Sequence, residues 1–247
     1  MIYTFKIFRF DPQKDPQPYE QEFQVDLGDA EEVTVLDALF TIQQTQDKTL
    51  SFRYSCRLAM CGSCAVVING KEGLACKTRI KFLGTGPISL QPLRHIRVIK
   101  DLTVDLKSLM NRLKKIEPYF KAKDPSKEPA RIKPDSRERE VIGLNTECIA
   151  CGCCVSACTM MYWDPEYLGP MNLNRAFCLI ADSRDLKGGR LRKVADESGV
   201  YRCHMEFNCT DVCPKHISPT RGIHHLKRQL FWNGLKNLYP FRKGSDE

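Results

Sequence analysis

The chain has 247 residues, 42% of them apolar, a formal net charge of +8 and a mean hydropathy of -0.37. No run approaches the roughly 18 to 20 apolar residues of a membrane-spanning helix, and the basic residues are spread along the whole length, so charge alone selects neither nucleic acid nor lipid. Thirteen cysteines is a high and odd number; a complete set of disulfides cannot use them all, and their grouping at short gaps points to thiolate ligation of metal in a reducing compartment.

The first residues carry charges where a secretory leader needs an apolar run, and no small-residue cleavage site follows, so they read as a strand. Alternation predicts strands at Ile2–Arg9 and 20–25, and the spacing of Leu36, Leu39, Phe40 and Gln43 predicts a helix over 33–44. Ala65–Ile68 runs into Asn69-Gly70, a dipeptide whose tolerance of positive φ suits a type I′ hairpin turn. A last strand falls at 88–90, before a chain crossing at 95–100. From about Val104 the period changes, with Leu106, Leu109, Met110, Leu113 and Ile116 on one helical face. The stretch 121–140, with Pro125, Pro129 and Pro134 among many charges, reads as an exposed connector. Beyond it, Cys-rich runs alternate with short helices, including 172–182 and 222–235.

Cys56, Cys61 and Cys64 form C-x4-C-x2-C, and Cys76 lies beyond the Ala65–Ile68 strand and its turn. This is the plant-type ferredoxin spacing for a 2Fe-2S cluster: one tight loop supplies three thiolates and a fourth closes from the other side. Gly62 lets backbone N–H groups approach the sulfurs. Arg57 beside the ligands either tunes potential or is a surface charge. A structural zinc site is the alternative, although zinc usually takes its thiols as two separated pairs.

Cys148, Cys151, Cys154 and Cys158 form the bacterial ferredoxin run, in which the fourth thiolate reaches across to a second cluster. Its partner is the run Cys203, Glu206, Cys209 and Cys213-Pro214, matched at every position except that Glu206 stands where a cysteine is expected. Exchange of the fourth ligands predicts a 4Fe-4S cluster on Cys148, Cys151, Cys154 and Cys213. It predicts a 3Fe-4S cluster on Cys158, Cys203 and Cys209, because iron at an unligated corner is easily lost. Ligation of that corner by the Glu206 carboxylate stays open. Cys153 and Cys178 are left over as packing residues.

A plant-type site followed by a paired bacterial-type site lacking one cysteine resembles the iron-sulfur subunits of the succinate dehydrogenase and fumarate reductase family. The resemblance is carried by the run Tyr-Ser-Cys-Arg-Leu-Ala-Met-Cys-Gly-Ser-Cys at 54–64, by Cys148 to Cys158, by Trp163-Asp164-Pro165 with Gly169-Pro170, by Asp182-Ser183-Arg184-Asp185, and by Cys203-His204 through Pro219. It implies an α+β chain with an N-terminal β-grasp 2Fe-2S ferredoxin domain over 1–103 and a C-terminal all-α ferredoxin domain over 104–247. Its partners would be an FAD-containing flavoprotein and integral membrane anchor subunits, with haem b an option in the anchor and no nucleic acid. Electrons would pass from succinate through FAD and the 2Fe-2S, 4Fe-4S and 3Fe-4S clusters to a quinone, or in the reverse direction in a fumarate reductase.

The resemblance also places a quinone pocket at Thr159, Trp163, His204 and Glu206; the plainer reading is that Trp163 and His204 only pack over the cluster. Two positions depart from the family, Thr159 where proline is common and Glu206 where an apolar or small residue is common. The basic tail at 224–242 either faces anionic headgroups or packs on its own domain. The absence of a leader and of a span predicts a peripheral place on the cytoplasmic face of a prokaryotic membrane. A stand-alone ferredoxin and a zinc-stabilised structural protein are the competing classes.

Overall fold

The computed structural model describes residues 1–28, 31–123, 131–186 and 189–238. β1 (Ile2–Arg9) pairs antiparallel with β2 (Tyr19–Asp26) along its whole length, and its alternation buries Phe5 and Ile7. α1 (Val35–Thr45) begins at a reciprocal capping box, in which Thr34 Oγ1 accepts the Asp37 N–H and the Asp37 carboxylate accepts the Thr34 N–H. Its buried face is Val35, Leu36, Leu39 and Ile42. β3 (Ala65–Ile68) turns into β4 (Lys71–Leu74) through Asn69 and Gly70, both at positive φ (+47° and +81°), as a type I′ turn requires. β5 (Ile88–Gln91) runs parallel to β1 and antiparallel to β3, giving the sheet order β2-β1-β5-β3-β4.

Where the sequence suggested only a chain crossing, β6 (Val98–Lys100) and β7 (Thr103–Val104) form a second small ladder. The cause is Asp101 in the turn between them, at φ +45° and buried. Its carboxylate accepts from Arg9 Nε at 3.0 Å, the Phe10 N–H at 3.0 Å and the Ser51 N–H at 2.9 Å. Arg9 also pairs with Asp47, so a buried guanidinium ties β1 to the segment that leads into the first cysteine loop.

α2 (Lys107–Lys115) follows, with Leu109 buried. The predicted connector is exposed or half-exposed over its described residues, with its ends held by hydrogen bonds. Leu186 N donates to Lys121 O and Lys123 N to Arg184 O, both at 2.8 Å, and the far end of the stretch forms α3 (Arg137–Ile142), capped by Ser136. Residues 124–130 of that connector, with Pro125 and Pro129, lie outside the described residues. Then come α4 (Cys153–Ser156), α5 (Met160–Trp163), α6 (Gly169–Ala181), α7 (Arg190–Lys193), α8 (Asn208–Asp211) and α9 (Pro219–Leu238). α6 and α9 pack so closely that a Cβ on Gly222 would lie 2.9 Å from the Phe177 ring. Ile223 and Leu226 are buried, so this part of the predicted tail packs on its own domain, while Phe231 and Trp232 stay exposed. Residues 239–242 of the tail lie outside the described residues. One continuous apolar core joins the sheet to the helices, and among the described residues no helix is long and apolar enough to cross a membrane.

Arg190 is fully buried and pairs with the equally buried Asp185. It also donates to Ile116 O, Glu117 O and Tyr119 O at 3.1 to 3.3 Å, closing the end of α2 against α7. Removing one partner of such a pair leaves an uncompensated charge in the interior. Arg190→Met is therefore expected to cost about 3 to 5 kcal/mol in denaturant unfolding; a loss under ~1 kcal/mol would contradict this account of the packing.

Candidate metal centres

The first loop, between α1 and β3, is built from left-handed residues: Arg57, Ala59 and Gly62 have φ of +58°, +56° and +74°. Two of these are not glycine, and each such residue costs on the order of 1 kcal/mol or more. The conformation turns backbone N–H groups toward sulfur. Leu58, Met60 and Cys61 donate to Cys56 Sγ at 3.4, 3.3 and 3.3 Å, and Ala59 donates to Cys76 Sγ at 3.3 Å. Ser63 and Cys76 donate to the sulfurs of Cys61 and Cys64, each at 3.5 Å. Cys56, Cys61, Cys64 and Cys76 are thereby brought together. Hydrogen bonding from the Cys56 backbone and from Ser63 holds the Cys61 thiol down at about 6, whereas burial pushes Cys64 up to about 12. Arg57 stacks its guanidinium over Phe40 and Tyr54, at 4.8 and 5.5 Å from the ring centroids, so its place is beside the rings.

Cys148, Cys151, Cys154 and Cys213 line one cavity, and Cys158, Cys203 and Cys209 line another. The two loops follow one backbone plan. Two and four residues after Cys148, Ala150 and Gly152 have φ of +53° and +86°; two and four residues after Cys203, Met205 and Phe207 have +60° and +67°. Glu206 therefore occupies the register of Cys151 in a loop that keeps its shape without the thiol. Burial raises the Cys154 thiol well above its ordinary value and raises Cys209 as well. Ionising thiols this deep needs adjacent positive charge, which iron would supply.

Around the third site, His204 and Glu206 line the cavity. Thr159 Oγ1 donates to Glu206 Oε2 at 2.6 Å, so the two positions that depart from the family pattern meet each other. Trp163 is not among the cavity residues; it is 72% exposed and stacks edge-on with Tyr162. Asp164, beside it, is held by Arg202 at 2.9 Å and Ser198 at 3.1 Å, which fastens α5 to the residue before Cys203. Sequence reading missed Tyr167 and Thr220, both buried and lining this cavity. The Thr220 hydroxyl lies 3.2 Å from Cys209 Sγ, and Lys227 Nζ donates to Cys203 O at 2.6 Å. Neither contact leaves a spacing signal, because α9 delivers both residues from outside the cysteine motif.

All thirteen cysteines are free. A tetrahedral ion needs its sulfurs about 2.3 Å from one point. Among the described residues no three or more His, Cys, Asp or Glu side chains converge in the way a single metal ion requires. Thiols around cavities, with N–H groups aimed at sulfur in the first loop, suit polynuclear iron.

A 2Fe-2S iron-sulfur cluster binding domain matches residues 4–111, and a 4Fe-4S dicluster domain matches residues 145–217. These two domains, an N-terminal sheet unit and a C-terminal helical stretch, define the class: a multi-cluster iron-sulfur protein of mixed α and β structure. The chain is similar to the mitochondrial succinate dehydrogenase (ubiquinone) iron-sulfur subunit 1 of Oryza sativa subsp. japonica, with 42% identity over 91% of this chain and 81% of the relative. It is 40% identical to the mitochondrial succinate dehydrogenase (ubiquinone) iron-sulfur subunit of Candida glabrata, over 92% of this chain and 90% of the relative. A solved chain of the Mycobacterium smegmatis Sdh1 complex in the apo form superposes with a TM-score of 0.85 at 26% identity, covering 95% of this chain and 97% of that one. The chain belongs to the family of succinate dehydrogenase iron-sulfur subunits.

Cys153 and Cys178 are buried outside both cavities. Cys178→Ala and Cys153→Ala are each expected to keep the full iron content of the parent while losing about 1 kcal/mol of stability. Loss of a whole cluster's iron from either variant would show that the thiol is a ligand.

Proposed function

We propose that this chain is the electron-transfer subunit of a succinate:quinone oxidoreductase, docked between an FAD flavoprotein and a membrane anchor. The observation that carries the reading is the set of three sulfur sites in one chain, the last of which keeps its loop but has Glu206 in place of a thiol. The ligand sets are Cys56, Cys61, Cys64 and Cys76 for 2Fe-2S; Cys148, Cys151, Cys154 and Cys213 for 4Fe-4S; and Cys158, Cys203 and Cys209 for 3Fe-4S. The three-thiolate assignment rests on the missing fourth cysteine, with Glu206 at that register and one of its oxygens, Oε2, bonded to Thr159. The mixed sheet crossed by α1 fits a β-grasp domain over 1–103, and the helices fit an all-α ferredoxin domain over 104–247. Relatives named as succinate dehydrogenase subunits favour succinate oxidation over fumarate reduction.

When bound, the clusters supply one-electron carriers between flavin and quinone. The chain's own residues hold them and tune them. Backbone N–H groups of the 56–64 loop stabilise negative charge on sulfur, and the Thr220 hydroxyl does the same at Cys209. Succinate chemistry lies on the flavoprotein, and this chain supplies positions for one-electron carriers and no acid–base catalyst for it.

At the far end His204, with Thr159, Trp163 and Glu206, forms the quinone pocket. The imidazole on the cavity wall supplies a proton, and the exposed indole N–H supplies a hydrogen bond. Exposed Tyr162, Trp163 and Phe207 fit a face that the anchor covers, which would hold the chain peripherally at a membrane. His204→Ala in the intact assembly is expected to slow succinate-dependent quinone reduction about 10²-fold, with all cluster signals retained. Unchanged quinone reduction and inhibitor binding would remove His204 from the pocket.

A further inference from the structure

A buried hydrogen-bond network joins the two matched domains at a place where neither needs it to bind iron. Ser156, in α4 between Cys154 and Cys158, is 1% exposed. Its hydroxyl donates to Glu72 Oε1 of β4 at 2.8 Å and accepts the Arg94 N–H at 2.8 Å. The Arg94 guanidinium approaches the same carboxylate at 3.4 Å and donates to Gly70 O at 3.0 Å. A carboxylate this deep is stable only with partners, and the serine of the opposite domain is one of them. The network therefore has one favourable docking geometry.

Two further contacts join the cysteine loops themselves. A Cβ on Gly62 would lie 2.7 Å from Cys151 Cβ and 2.9 Å from Cys151 Cα, so the first loop touches the backbone of a second-site cysteine. Lys77, next to Cys76, donates from Nζ to the carbonyl of Pro214, next to Cys213, at 2.8 Å. Gly62 thus does more than expose N–H groups: its missing side chain leaves room for the backbone of Cys151. Electron transfer between carriers depends steeply on their separation, so the protein's contribution is to hold that separation fixed.

We propose that Ser156, Glu72, Arg94, Gly62 and Lys77 are positioning residues that set the separation of the first two sulfur sites. The inference rests on the cluster assignment above. It is tested on the intact assembly, reduced anaerobically with dithionite, by microwave-power saturation of the 2Fe-2S electron paramagnetic resonance signal alongside iron and sulfide content. A neighbouring paramagnetic 4Fe-4S cluster speeds relaxation of that signal, and the effect falls steeply with distance. Ser156→Ala is expected to load iron fully yet saturate at lower power. Lys77→Met is expected to show a smaller shift, and Lys77→Arg to restore the parent behaviour.

Full iron with unchanged saturation in Ser156→Ala overturns the proposal. Should Ser156→Ala fail to load, the exposed Lys77 variants decide, and unchanged saturation in Lys77→Met overturns the proposal equally. A parent assembly with no reduced 2Fe-2S signal would instead defeat the cluster assignment itself.

Discussion

Sulfur atoms gathered in a protein interior accumulate negative charge, and the chain must set N–H dipoles against it without the help of a regular helix or strand. A short loop achieves this only by alternating right- and left-handed residues, so that successive N–H groups turn inward. That requirement is visible at all three sites. Arg57 and Ala59 in the first loop, Ala150 in the second, and Met205 and Phe207 in the third hold positive φ although none is glycine. Each costs roughly 1 to 3 kcal/mol, and the surrounding core and buried ion pairs hold the loops in that conformation.

The rest of the structure serves those loops. The Arg9, Asp47 and Asp101 network ties β1 to the segment entering the first loop. Arg190 and Asp185 close the end of α2 against the helical domain, and Asp164 with Arg202 fixes α5 to the approach to Cys203. Because one apolar core runs through both domains, the sulfur sites are parts of one body, and contacts such as Ser156 with Glu72 act on distance between sites as well as on stability.

The cysteine spacings were legible because ligand geometry imposes fixed intervals, and the hairpin turn was legible because Asn69-Gly70 serves a conformation few other dipeptides accept. β1 followed from periodicity end to end, and the α1 stripe with its ends shifted by one or two residues. The β6–β7 ladder was not legible, since it is organised by Asp101 bonding to Arg9, a partner 92 positions away in sequence. The connector at 121–140 is exposed or half-exposed over its described residues, as its composition implied, and what the sequence did not reveal is that backbone hydrogen bonds and a Ser136 cap fasten its ends. Thr220, Tyr167 and Lys227 reach the third site from helices and turns outside any motif. The Thr159–Glu206 bond likewise joins two positions that look unrelated along the chain.

The third loop keeps the backbone plan of the second with Glu206 at the register of Cys151, and on the proposed ligand set that carboxylate does not bind iron. Glu206→Cys would place a thiol at that register, and the direct measurement is the electron paramagnetic resonance spectrum of the oxidised, anaerobically prepared assembly. The account predicts a 3Fe-4S signal in the parent that disappears in the variant as a fourth iron is retained. A parent spectrum without any 3Fe-4S signal, in a sample with its full iron, would contradict it.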